Sequence, residues 1–176
     1  MTKSAFICVV VILSLVTLAV GQQALQEASV KMSGKAITVK YSAPAMGGRK
    51  IFGGVVPFNQ VWRAGTGPVA FHTEADLEVQ GLSVPKGDYT LFVLPDALEW
   101  QLIVSKQTGP QAATYNPKMD LGRVPMDMKK ASAPIENLKI TLAAVGSVAG
   151  KLEMGWESTI ASVPFNLDAV KANREW

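Results

Sequence analysis

The sequence predicts an all-β protein, a single-domain antiparallel β-sandwich of about nine short strands. Three observations support this prediction. Short segments rich in Val, Ile, Leu, Tyr and Phe recur along the chain, and glycine or proline separates most of them. Several segments alternate apolar and polar residues, which is the period of a strand with one buried face. Beyond residue 21, no stretch of ten residues has a convincing helical period.

The first predicted element is a β-hairpin whose turn is Ser33-Gly34-Lys35. Its first arm includes Val30 to Met32 and its second arm runs from Ala36 to Tyr41. In the second arm apolar residues occupy every other position. This alternation predicts that one face of the arm is buried and that Thr38 and Lys40 lie on the other face.

The middle of the chain predicts five short strands. Two of them, Tyr89 to Leu94 and Trp100 to Val104, are the most apolar and are expected to form a central hairpin. The turn Pro85-Lys86-Gly87-Asp88 precedes this pair. The other three predicted strands are Val69 to Thr73, Leu77 to Val79 and Leu82 to Val84.

The last third of the chain has four further strand-like segments. The first two, Val124 to Met128 and Leu138 to Ala144, are separated by Ala131 to Pro134. The last two, Lys151 to Trp156 and Thr159 to Phe165, are predicted to form a final hairpin.

The first 21 residues have the pattern of a secretory signal peptide. Lys3 supplies a basic start, residues 5–20 are almost wholly apolar, and Ala19 and Gly21 are small residues where cleavage is expected. We therefore expect a signal helix at 1–21, a domain at 22–176, and a periplasmic or secreted protein without a membrane span. The alternative is that the apolar run is retained as an anchor, although it is short for a span of about 20 residues.

Composition excludes several classes of function for residues 22–176. The single cysteine, Cys8, lies in the predicted signal, so no disulfide, thiolate nucleophile or cysteine-ligated metal is expected there. These residues carry 16 basic and 14 acidic side chains without a run of like charge, which argues against a nucleic-acid partner. No P-loop and no Gly-x-Ser-x-Gly elbow occurs, and no cofactor is expected.

The segment YSAPAMGGRKIFGGVVPFNQVWRAG, Tyr41 to Gly65, packs five glycines and three basic residues into one connection. It closely resembles the signature of DUF2911, a bacterial family of unknown function, and VPKGDYTLFVLP and EWQLIVSK are similar to later blocks of that family. The resemblance covers roughly Tyr41 to Phe165 and implies an exported domain. After Arg63 the sequence departs from the family pattern, because the Asn and Glu usual there are absent; if they belong to a site, this protein has altered or lost it.

The glycine-rich connection is the leading candidate site. Arg49, Lys50 and Arg63 could hold an anion such as a carboxylate, phosphate or acidic sugar, and Trp62 could form one wall. Long connections of this kind often carry function. The alternative is architectural: apolar residues of the loop plug the end of the sandwich, and the arginines bond to carbonyls that the loop leaves unpaired.

A second candidate is the sequence His-Thr-Glu-Ala-Asp. On an unbroken strand His72, Glu74 and Asp76 would face the same way and could bind zinc or a similar cation. His72 is the only histidine of the chain. The alternative is a solvated strand face that leads into a turn.

These observations favour a non-catalytic binding or envelope-associated module for an anionic small molecule or a glycan. A metal-dependent enzyme centred on His72, Glu74 and Asp76 is the second hypothesis. The third is a structural subunit that pairs its edge strands with a partner in the envelope.

Overall fold

The computed structural model describes residues 25–168 of the 176-residue chain, and these residues form an all-β fold, as predicted. The predicted signal peptide lies outside the described residues. Within residues 25–168 no helix is long and apolar enough to cross a membrane. The strands are β1 (Leu25–Met32), β2 (Lys35–Ser42), β3 (Val69–Thr73), β4 (Leu77–Val79), β5 (Leu82–Val84), β6 (Gly87–Pro95), β7 (Trp100–Ser105), β8 (Asp120–Ala144) and β9 (Ala149–Leu167).

The nine strands form one antiparallel sheet in the order β1-β2-β3-β6-β7-β8-β9-β4-β5. The start of β8 pairs with β7 and the rest of β8 pairs with β9, so this strand joins the two halves of the sheet. The halves lie face to face: the Tyr41 hydroxyl in β2 donates to the Ile140 carbonyl in β8 at 3.3 Å. The predicted sandwich is therefore made from two layers of one continuous sheet.

The short strands and two hairpins agree closely with the sequence predictions. β3, β4 and β5 have the predicted bounds. β1 pairs with β2 around the predicted turn, and β6 pairs with β7 as the central hairpin. Local turn chemistry was sufficient for the two hairpins, because in each the partner strand follows within a few residues.

The prediction for the last third of the chain was wrong in its connections. The predicted pair Lys151 to Trp156 and Thr159 to Phe165 is one strand, β9, and the chain reverses earlier, at residues 145–148. The segments on either side of Ala131 to Pro134 likewise belong to one strand, β8. Its register with β9 shifts on both sides of Ile135, and this irregularity accommodates Pro134, which has no amide hydrogen for the ladder.

The core lies between the two layers. Alternating residues of β2 and β6 are buried in one cluster with residues of β8 and β9, and many of them are at most 2% exposed. Burial of each such side chain contributes about 1.5–3 kcal/mol. Core members of this kind include Ile37, Val39, Leu91, Leu138, Ile140 and Met154.

Candidate functional site

An open groove of about 650 Å³ lies on the outer face of β2, β3 and β6. Its polar lining residues Thr38, Lys40, His72 and Asp88 occupy strand positions that alternate with buried ones, so these side chains point away from the core. Thr90 also lines the groove, but it is only 2% exposed. Ala70, at the centre of the middle strand, has a side chain too small to fill the space between its neighbours. The register places the outward residues in two cross-strand rows, Thr38–His72–Asp88 and Lys40–Ala70–Thr90.

A hydrogen-bonded pair and an ion pair lie along the groove. The His72 imidazole Nδ1 is 2.8 Å from Asp88 Oδ1, and Lys40 Nζ is 3.5 Å from Glu27 Oε2. All four side chains are about half exposed or more, so each pair keeps hydrogen-bonding capacity toward the groove. Each pair joins a basic side chain to an acidic one. The groove therefore offers both hydrogen-bond donors and hydrogen-bond acceptors to a ligand.

The connection between β7 and β8 forms one wall of the groove through Thr108 and Gly109. Its conformation depends on Gln107, which is 4% exposed. The Gln107 Nε2 group donates to the carbonyls of Gln111 and Thr114 at 2.7 and 2.8 Å, and its Oε1 accepts from the Asn116 amide at 2.8 Å. The buried side-chain amide of Gln107 thus binds three backbone groups of the connection.

The same connection is fixed to the sheet by Tyr115. Its ring contacts the fully buried Phe92 edge-on, with centroids 5.1 Å apart, and its hydroxyl donates to Asp120 Oδ2 at 2.7 Å. Burial and the hydrogen bond to Asp120 together raise the pKa of Tyr115 to about 12, and burial is the larger cause. Tyr115 therefore stays a neutral donor at physiological pH.

The glycine-rich connection between β2 and β3 is packed into the end of the sandwich. Ile51, Phe52 and Val56 are buried, and the Phe52 ring contacts Trp62, Trp100 and Trp156 edge-on. Trp62 itself stacks on Trp156, with centroids 5.8 Å apart and an angle of 14° between the planes. These contacts agree with the architectural alternative for the apolar residues of the loop.

The structure does not bring the three predicted anion contacts to a common ligand position. Arg49 donates to the carbonyls of Met46 and Ala45, both at 2.9 Å. Arg63 donates to the Ala113 carbonyl at 3.0 Å, in the connection after β7, and Lys50 is exposed. Both guanidinium groups satisfy loop carbonyls that no strand pairs. A role for Arg49, Lys50, Trp62 and Arg63 in ligand binding stays a prediction.

The structure also separates the predicted metal ligands. β3 ends at Thr73, so Glu74 and Asp76 lie in the following turn, where the alternation of an unbroken strand no longer holds. The Glu74 carboxylate accepts from the Ala36 amide at 2.6 Å, and Asp76 accepts from the Lys86 amide at 2.7 Å. Among residues 25–168 no group of three His, Cys, Asp or Glu side chains is placed to hold a metal ion.

Sequence reasoning found His72 but missed its neighbours in the groove. Asp88 belongs to the predicted turn Pro85-Lys86-Gly87-Asp88, which gives no sign of a contact with His72, and Ala70 carries no chemical signal of its own. The alternation in β2 did place Thr38 and Lys40 on one face. Their position beside β3 depends on the register of strands that are far apart in the sequence.

A family model described as "Protein of unknown function (DUF2911)" matches residues 23–165. The match covers most of the chain, so the resemblance predicted from the loop and strand motifs is confirmed. No curated protein and no solved structure matches the chain significantly. The family description assigns no activity, and the function must be argued from the geometry of the chain itself.

Proposed function

The chain belongs to the DUF2911 family, and we propose that this member is an exported, non-catalytic binding module that takes a small glycan in the groove of β2, β3 and β6. The observation that carries the proposal is the groove itself. It has the volume typical of small-ligand sites, and polar side chains from several strands converge on it. Export rests on the predicted signal peptide at residues 1–21.

The balance of charge favours a hydroxyl-rich ligand over an anion. Lys40 and His72 are each paired with a carboxylate, so an incoming anion would compete with Glu27 and Asp88 for the same donors. A sugar hydroxyl can donate to a carboxylate and accept from an ammonium or imidazole group at once. Paired donors and acceptors on neighbouring strands therefore suit a glycan.

The floor of the groove suits the carbon face of a sugar ring. Ala70, in the middle of the row Lys40–Ala70–Thr90, and Pro68 present small apolar surfaces to the groove. Both residues lie in the segment in which this sequence departs from the family pattern. A larger side chain at position 70 would fill the space that the ligand needs.

The proposal is tested by screening the purified protein against neutral and acidic oligosaccharides and by measuring the affinity of the best ligand by calorimetry. Ala70→Trp fills the groove at an exposed position and should weaken binding at least tenfold without loss of fold. Ala143→Trp is the matched control, because Ala143 is also exposed on a strand but lies on β8. The control should bind like the wild type.

Binding that survives Ala70→Trp would exclude the groove as the site. In the same assay, Arg49→Ala combined with Arg63→Ala tests the glycine-rich loop. If this double variant loses affinity and Ala70→Trp does not, the ligand is bound by the loop. If no oligosaccharide binds at millimolar concentration, the glycan proposal fails.

A further inference from the structure

A second hollow, of about 410 Å³, lies on the outer face of β8 and β9. It exists because β8 has eight residues between Lys130 and Lys139, whereas β9 has three between Gly155 and Thr159. The extra residues interrupt the ladder on both sides of Ile135, which stays paired with Glu157, and Pro134 and Ile135 line the hollow. Gly155 forms the floor below them: a Cβ at this position would lie 2.7 Å from Ile135 Cδ1.

One end of this hollow is apolar. Pro134 and Ile135 form one wall, and Ile160 lines the same end from β9. Both isoleucines are only partly buried, so their methyl groups remain available to a ligand. Apolar surface left in a concave site gains free energy when a hydrocarbon group covers it, at about 25 cal/mol per Å².

The other end is cationic. Glu153 lines it, and two lysines converge on this carboxylate: Lys151 Nζ at 2.9 Å and Lys129 Nζ at 3.2 Å, both from Glu153 Oε2. The hydrogen bond from Lys151 lowers the pKa of Glu153, so the carboxylate stays ionised and its charge is compensated by the two lysines. A third lysine, Lys139, also lines the hollow and is exposed; within residues 25–168 its ammonium group has no ion pair or hydrogen bond.

From this two-ended arrangement we propose that the hollow between β8 and β9 binds a small amphiphilic anion, with its hydrocarbon part on Ile135 and Ile160 and its carboxylate on Lys139. The ammonium groups of Lys129, Lys139 and Lys151 and the carboxylate of Glu153 sum to two positive formal charges. An anionic head group lowers this excess of positive charge, whereas a cationic head group on the same hydrocarbon chain raises it. The site is separate from the groove and does not depend on the glycan proposal.

The test uses two probes of equal chain length and opposite charge, octanoate and octylammonium, titrated into the purified protein and followed by amide chemical shifts. We expect octanoate to bind saturably, with shifts concentrated in residues 134–141 and 153–160. Octylammonium should bind at least tenfold more weakly. Lys139→Met removes the ammonium charge but keeps an aliphatic side chain. This variant should bind octanoate at least fivefold more weakly than the wild type.

The matched control is Lys106→Met, since Lys106 is an equally exposed lysine that lies beyond the end of β7 and outside the hollow. This variant should bind octanoate like the wild type. Equal binding of the two probes, or equal weakening by both lysine variants, would overturn the proposal. So would the absence of saturable shifts with octanoate at millimolar concentration.

Discussion

Replacement of Gln107 by alanine should loosen the connection that forms one wall of the groove. The substitution removes three side-chain hydrogen bonds shorter than 3 Å: two that Nε2 donates to the carbonyls of Gln111 and Thr114, and one that Oε1 accepts from the Asn116 amide. It also removes a longer one, which Oε1 accepts from Ser105 Oγ at 3.5 Å. Because Gln107 is 4% exposed, these bonds form away from water. At a net 0.5–1.5 kcal/mol each, their loss should cost about 3 kcal/mol of unfolding free energy.

Urea unfolding measures this cost, and amide hydrogen exchange locates it. We expect the Asn116 amide to lose protection in Gln107→Ala, while amides of β6 keep theirs. Gln111→Ala is a close control, because it removes a glutamine from the same connection but leaves the backbone carbonyl that Gln107 uses. That variant should change stability by no more than about 0.5 kcal/mol.

The reasoning is refuted if Gln107→Ala costs less than about 1 kcal/mol and leaves exchange at Asn116 unchanged. That result would mean that the connection is held by its other contacts, such as the packing of Tyr115 on Phe92 and the bond from Arg63 to the Ala113 carbonyl. The glycan affinity of Gln107→Ala provides a second readout. This affinity should fall together with the hydrogen-exchange protection of the Asn116 amide.

Two further predictions concern the loop and the hollow. Ile51→Ala should cost about 2–4 kcal/mol in urea unfolding, because Ile51 is fully buried in the glycine-rich loop; a cost below about 1 kcal/mol would mean that the loop is not part of the core. Glu153→Gln should be less stable than the wild type at pH 7 by up to about 1 kcal/mol. Since the pKa of Glu153 is lowered from its ordinary value of 4.5, this difference should be complete above pH 4.5 and should vanish as the pH falls through the lowered folded pKa. A difference that is the same at pH 7 and at pH 3 would contradict this assignment.

The local elements of the fold were predictable because their causes are local. The turns at Ser33-Gly34-Lys35 and Gln80-Gly81 fix hairpins whose strands are neighbours in the sequence. The alternation along Ala36 to Tyr41 identifies the buried face of β2 without any information about its partner strands. The apolar run in β6 predicted a central strand for the same reason.

The long strands β8 and β9 were not predictable from local signals. Pro134 and the small residues around it have the composition of a loop, yet the chain continues through them as a bulged strand. Pairing with a distant segment keeps this part of the chain extended. The Leu138 amide donates to the Pro44 carbonyl at 3.0 Å, and the Met46 amide donates to the Glu136 backbone carbonyl at 2.8 Å. Local propensity gives no information on such pairs.

The sequence by itself determined the family, the all-β class, the faces of the short strands, and the lack of cysteine chemistry beyond Cys8. Tertiary structure decided which groups meet. His72 contacts Asp88 rather than Glu74, and Arg63 donates to the Ala113 carbonyl instead of sharing a ligand position with Arg49. The physical reason is that a strand pattern specifies which face a residue occupies, whereas its neighbours on that face depend on register and on pairing between distant segments.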